Sequence, residues 1–302
     1  MGNKFNTPAY YLNAFCRMVG ESINIEEITR EHVNCFLFSS PQITQKWFGK
    51  YNALLGFYKF AISREYVLSS PLPTDKPPLS QPFVPYIYSQ EELRRILDAI
   101  AFFRKQTAWD KLEPHTVRSI LLLLYGAGLR ISEALSLTLS DVDLASSVLT
   151  IRNTKFNKTR FVPIGNQLNQ AMTEYLRRRK QDRHSQADIA PFFVYRTGQP
   201  VPIYIIERTF RKLCIYSGIY REGNARNQPR VHDLRHSFAI HRLTSWYRDG
   251  KDVQKLLPKL ATYLGHINIS ATQVYLTMTP ELLQEASKRF EQYAFKEVSN
   301  ER

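Results

Sequence analysis

The chain of 302 residues is poor in cysteine, in long apolar runs and in acidic side chains. Its three cysteines, Cys16, Cys35 and Cys214, have no spacing that suits a disulfide framework or a zinc site. Neither a resident metal nor a cofactor is expected. No apolar run approaches the ~18 residues needed to cross a bilayer, and the longest, Ile120-Leu-Leu-Leu-Leu-Tyr125, has the length of a core element. The first residues, Met-Gly-Asn-Lys-Phe-Asn, lack the apolar stretch of a signal peptide, and Asn6 stands where a myristoylation motif carries Ser or Thr. Internal repeats and long low-complexity segments are also missing. These absences point to a cytoplasmic protein with no membrane association.

The shortage of acid points towards a partner. Asp and Glu number 27 against 41 Lys and Arg, a formal charge of +14. Such an excess favours a polyanion, because each phosphate neutralised releases counterions. Nucleic acid leads on this ground, and a merely basic soluble protein is the plainer alternative.

Proline is concentrated where it divides the chain. Six prolines between Ser69 and Pro85 forbid a helix and favour an extended, semi-rigid connector. The division is into residues 1–70, a linker at 71–86 and a larger region at 87–302. Before the linker, periodicity predicts helices over 9–19, 29–38 and 44–63. In the last, Trp47, Tyr51, Leu54, Leu55, Tyr58 and Ile62 form an apolar stripe. Lys46, Lys50, Lys59 and Arg64 lie between them, either solvated or facing phosphates.

After the linker, Ser89 and Glu92 have the spacing of a capping box, with Tyr88 and Leu93 as its hydrophobic staple. Helices are expected to about Tyr125, a break at Gly126-Ala-Gly128, and a helix again over 131–137. Strands at 148–152 and 160–164 flank a hairpin-like turn at 153–159. Helices follow at 167–180, 202–217, 231–247, 252–263, 270–276 and 280–294. Arg177-Arg-Arg-Lys180 reads as a solvated helix end that complements the helix dipole, in preference to a dedicated DNA contact. The fold class is mainly α, with one small antiparallel β-sheet in the larger region.

The residues with chemical potential lie in that larger region. A metal-free phosphodiester exchange needs fixed donors around the non-bridging oxygens, a nucleophile and a proton for the leaving alkoxide. Arginine suits the donor role because its planar fork bonds two oxygens and stays charged. Arg130 follows Gly128-Leu129 at a helix start, where the helix amino terminus also favours an anion. Lys155 sits at the hairpin tip. His232 and Arg235 share a helix face, and His266 follows Gly265, which is expected to end a helix. Tyr275 lies in a short segment nine residues beyond His266. Taken singly, each has a bland reading as a surface arginine, a satisfied histidine or one tyrosine of 17.

Four blocks together carry a resemblance. Gly126-Ala-Gly-Leu-Arg-Ile-Ser-Glu-Ala-Leu135, Thr154-Lys-Phe-Asn-Lys-Thr-Arg-Phe-Val-Pro163, Val231-His-Asp-Leu-Arg-His-Ser-Phe-Ala239 and Tyr263-Leu-Gly-His266 with Tyr275 resemble the tyrosine recombinase (phage integrase) family, in family order. The resemblance covers residues 87 to 290, and the helical region before the linker resembles the family's SAM-like core-binding domain by pattern. It implies that Tyr275 attacks a scissile phosphate, leaving a 3′-phosphotyrosine and a free 5′-hydroxyl. It implies that Arg130, His232, Arg235 and His266 bind and activate the phosphate, and that Lys155 protonates the 5′-oxygen. Glu133 matches an acidic position that supports the cluster, and His236 stands beside it in a supporting place. Many members have glycines around the hairpin lysine, where this chain has Thr154 and Phe156, so Lys158 is a rival to Lys155.

The expected enzyme is a site-specific DNA recombinase acting on double-stranded DNA sites as a homotetramer, for integration or excision of a mobile element. The need for accessory DNA-bending proteins stays open. A type IB topoisomerase-like relaxer, a hairpin telomere resolvase and a non-cutting DNA-binding protein are the alternatives. In the 280–294 helix, Leu282, Leu283, Ala286, Phe290 and Tyr293 form an apolar stripe. In the family such a helix docks in trans on a neighbouring subunit; docking on its own domain is equally open.

Overall fold

The computed structural model describes residues 6–20, 22–40, 43–78, 84–103, 112–152, 159–223, 228–277, 280, 282–288 and 291. The chain forms two compact units, Met1–Phe83 and Val84–Arg302.

The first unit contains α1 (Asn6–Val19), α2 (Arg30–Leu37) and α3 (Gln45–Ser63). Thr29 caps α2, its hydroxyl accepting from the amide of His32. The stripe of α3 buries Trp47, Tyr51, Leu54 and Tyr58 against Phe15, Val33 and Phe36, each large apolar side chain contributing roughly 2 kcal/mol on burial. Ile62 is exposed, and Ala61 takes the buried place in the last turn. Lys50 departs from the expectation of a solvated or phosphate-facing lysine: it is 6% exposed. Its Nζ donates to the Phe36 carbonyl and to Ser39 Oγ, both at 2.6 Å. Lys46, Lys59 and Arg64 are exposed.

The proline-rich stretch is folded onto the chain on either side of residues 79–83. Leu72 is buried in the first unit's core, and the Tyr51 hydroxyl donates to the Pro73 carbonyl at 3.0 Å. In the second unit the Arg221 guanidinium donates to the carbonyls of Val84 and Pro85, each at 2.8 Å. The semi-rigid connector expected over 71–86 is thus held to the first unit at Leu72 and Pro73 and to the second at Val84 and Pro85.

The second unit begins with α4 (Gln90–Phe103), and its capping box forms in both directions. Ser89 N donates to Glu92 Oε2 at 2.8 Å, and Glu92 N to Ser89 Oγ at 3.1 Å. The apolar α5 (Pro114–Gly126) packs against α7 (Asn166–Gln181) and α9 (Asp233–Arg248). Between α5 and α7 come the short α6 (Ile131–Leu135) and a three-stranded antiparallel sheet. Its strands are β1 (Val142–Asp143), β2 (Val148–Ile151) and β3 (Arg160–Pro163), in that order. Leu149 pairs with Val162 and Ile151 with Arg160, so alternation turns Leu149, Ile151 and Val162 inward.

The chain continues through α8 (Ile203–Tyr216), α9, α10 (Val253–Leu264) and α11 (Ser270–Gln273), which runs into a 3₁₀ turn at Val274–Thr277. Arg179, expected in a solvated helix end, is instead 1% exposed and donates to the carbonyls of Ser185 and Pro191. Its neighbours Arg177 and Arg178 do lie in solvent, paired with Glu174. Residues 282–288 are helical, with Leu282 buried beside Phe238 and Leu257 and Leu283 exposed. Phe290 and Tyr293 lie outside the described residues.

Candidate active site

One carboxylate organises the cationic side of the site. Glu133 sits in the first turn of α6, is 8% exposed, and receives Arg160 through both terminal nitrogens, at 3.0 and 2.8 Å. Arg130, the residue that caps α6, donates to it through its amide at 3.0 Å and through Nη1 at 2.8 Å. The anion at this helix start is thus the protein's own carboxylate. Arg235 Nη1 lies 3.9 Å from the same group. Burial alone would raise the Glu133 carboxyl, but the bonds from Arg160 and Arg130 outweigh it and hold the group down to about 2.

Three guanidinium groups against one carboxylate leave the cluster two charges positive (3 − 1). That surplus favours an anion at the site. Backbone carbonyls fix the arginines further. Arg235, 2% exposed, donates to the carbonyls of Gly128 at 2.8 Å and Leu264 at 2.6 Å. Arg130 Nη2 donates to the Gly265 carbonyl at 3.1 Å, and Arg160 Nε to that of Tyr263 at 3.1 Å. Burial, then the neighbouring Arg130, lowers Arg235 to about 10, which leaves it charged at neutral pH.

Two glycines make this convergence possible. Gly128 has φ +59°, and a Cβ there would stand 2.5 Å from the Phe238 ring. Gly265 ends α10, as expected, in the left-handed conformation with φ +69°; a Cβ there would lie 2.7 Å from Arg160 Nη1.

Imidazoles and a phenol form the other side. His232 precedes α9, and His236 lies one turn on, the two rings edge to face with centroids 5.1 Å apart. His266 Nδ1 is 2.7 Å from Thr272 Oγ1, and its ring lies 6.1 Å from that of Tyr275. Tyr275 is buried in the 3₁₀ turn, with its hydroxyl 3.0 Å from His236 Nδ1. Burial chiefly lowers all three histidines; positive neighbours add to this, and His236 and His266 fall to about 4. Burial raises the Tyr275 phenol, while Arg235 and Arg130 pull it back in part.

The structure therefore gathers Arg130, Glu133, His232, Arg235, His236, His266 and Tyr275. Lys155 and Lys158 lie outside the described residues. Sequence reasoning quoted Arg160 within the hairpin but gave it no role. Its signal was strand alternation: two residues before the buried Val162, Arg160 faces inward and so requires a carboxylate.

The sequence matches the phage integrase family over residues 88–281. The chain belongs to that family, the tyrosine recombinases. Its enzymatic class is therefore the breaking and rejoining of DNA. A Sinorhizobium fredii protein called an integrase/recombinase is 41% identical over 207 residues, 68% of this chain and 66% of that protein, just under two thirds of its length. A second from the same organism is 32% identical over 96% of this chain and 91% of its own. The fold is similar to that of the XerH site-specific recombinase in a post-cleavage complex with a palindromic difH substrate (TM-score 0.67, 20% identity, covering 95% of this chain and 79% of that one). It is also similar to that of a lambda integrase tetramer bound to a Holliday junction (TM-score 0.64, 14% identity, 89% and 70%).

Proposed function

We propose that this family member is a site-specific recombinase that cuts and rejoins double-stranded DNA through a 3′-phosphotyrosine on Tyr275, in the integration or excision of a mobile element. The observation that carries the reading is a buried phenol beside a fixed, doubly positive arginine cluster. Arg130 and Arg235 hold the non-bridging oxygens, where charge grows as phosphorus becomes five-coordinate. His232 and His266 complete the cradle. Lys155 delivers the proton to the 5′-oxygen, with Lys158 as its rival. The arginines supply the positive charge that a divalent ion supplies elsewhere, so the reaction is metal-independent.

The working species is a homotetramer on two DNA sites. The name of the S. fredii relatives supports the integrase role, and the lambda integrase assembly supports the tetramer. Leu283, exposed in the carboxyl-terminal helical stretch, is available for contact in trans. The test is recombination between two copies of the element-end sequence in excess EDTA. Recombinant product supports the reading. Strand relaxation without exchange would replace it with a topoisomerase-like activity, and activity restored only by a divalent ion would remove the metal-free mechanism.

A further inference from the structure

Resting on Tyr275 as nucleophile and His266 as a phosphate-holding group, we propose that Thr272 is a positioning residue that couples the two. Its hydroxyl donates to His266 Nδ1 and so keeps the ring hydrogen on Nε2, ready for a non-bridging oxygen. Thr272 lies in α11, three residues before Tyr275, and is 0% exposed. Its Oγ1 is 2.7 Å from His266 Nδ1. That distance suits donation in either direction, and the surroundings decide which.

A hydroxyl carries one hydrogen, and a neutral imidazole has one nitrogen with a hydrogen and one without. Among the described residues, His266 Nδ1 is the hydrogen-bond partner of Thr272 Oγ1 and Oγ1 has no other. Were the hydroxyl to accept from Nδ1, its own hydrogen would be buried without an acceptor, which is costly. Donation to Nδ1 satisfies both groups. Burial, then Arg235, lowers His266 to about 4, so the ring is neutral at neutral pH and must choose a tautomer. The hydrogen then sits on Nε2, which has no hydrogen-bond partner among the described residues. The arginines need no such selection, because a guanidinium can only donate.

The contact also ties two parts of the site to one movement. Thr272 and Tyr275 share a continuous segment, α11 and its 3₁₀ turn, whereas His266 follows the end of α10. With that segment in place, the phenol stands in the site and the hydroxyl sets the His266 ring. With it displaced, the nucleophile is withdrawn and His266 loses the group that selects its tautomer. A protomer is then either complete or deficient in both groups at once.

The experiment has two arms, both on the full chain. In the first, nitrogen-15 NMR of labelled histidines at neutral pH reads the tautomer from the ring-nitrogen shifts, with His266→Ala assigning the signal. His266 should carry its hydrogen on Nε2 in the unaltered chain and in Thr272→Ser, and should become a mixture in Thr272→Val. The second arm is single-turnover adduct formation on a nicked suicide substrate. Thr272→Val should slow it about 10²-fold, the lower end for losing one donor to a transition-state oxygen. Half-site affinity should not change, and Thr272→Ser should restore the rate. In a His266→Ala background the valine substitution should cost nothing further, because it acts through that ring. Hydrogen on Nδ1 in the unaltered chain, a full rate for Thr272→Val, or an equal loss in both backgrounds would overturn the proposal while Tyr275 stands. An adduct on another residue would instead overturn the reading on which it rests.

Discussion

The two sides of the site are held by different forces. On the arginine side, Arg130, Arg160 and Arg235 are fixed by a shared carboxylate and by four backbone carbonyls: those of Gly128, Tyr263, Leu264 and Gly265. On the other side, His232, His236, His266 and Tyr275 meet through neutral hydrogen bonds and ring contacts, with the phenol on a four-residue 3₁₀ turn. Charge-assisted bonds are roughly twice as strong as neutral ones. The arginine side suits its chemistry, since groups that stabilise growing charge gain from being immobile.

The comparison breaks most completely at the phenol. Tyr275→Phe should abolish adduct formation on a suicide substrate while leaving half-site binding intact in a gel-shift assay. Next is Arg235→Lys, which keeps the charge but loses the fork that spans the Gly128 and Leu264 carbonyls. Cleavage should fall about 10²–10³-fold, measured in single-turnover assays at saturating protein. Equal activity would mean that charge alone suffices and that the arginine geometry is incidental.

Glu133→Gln tests the hub. Because its carboxyl is lowered from 4.5 to about 2 in the fold, its contribution is full above the ordinary value and is lost as the pH falls through 4.5 towards 2. The variant should be about 3 kcal/mol less stable at pH 7. The gap in denaturant melts should narrow steadily below pH 4.5. A smaller effect is expected of Gly265→Ala, about 1–2 kcal/mol from the left-handed backbone, with cleavage reduced because the new Cβ displaces Arg160. Smallest is Lys50→Met. As this lysine is buried on carbonyl and hydroxyl oxygens, DNA affinity and its salt dependence should not change.

Much of this was legible in the chain. The Ser89–Glu92 box, the β2–β3 hairpin strands and the helix end at Gly265 all follow from local rules, and local rules survive folding. What escaped depended on distant partners. Lys50 is three residues after Trp47 and four before Leu54; Arg179 is four after Tyr175. Both therefore lie on buried helix faces, yet only the folded chain shows the carbonyls that satisfy them. Arg160 escaped in the same way, since its need for Glu133 spans 27 residues. β1 has two residues and no periodicity to read. The position of His236 beside the Tyr275 hydroxyl joins segments 39 residues apart, whereas the spacing of His232 and Arg235 is a property of one helix.

The central claim is that the phenol on the histidine side becomes covalent to phosphate held by the arginine side. The direct measurement is to trap the protein on a nicked suicide substrate, digest both components and locate the nucleotide by tandem mass spectrometry. A 3′-phosphate on Tyr275 is the predicted result. A nucleotide carried by Tyr263 or Ser270 instead would contradict the account.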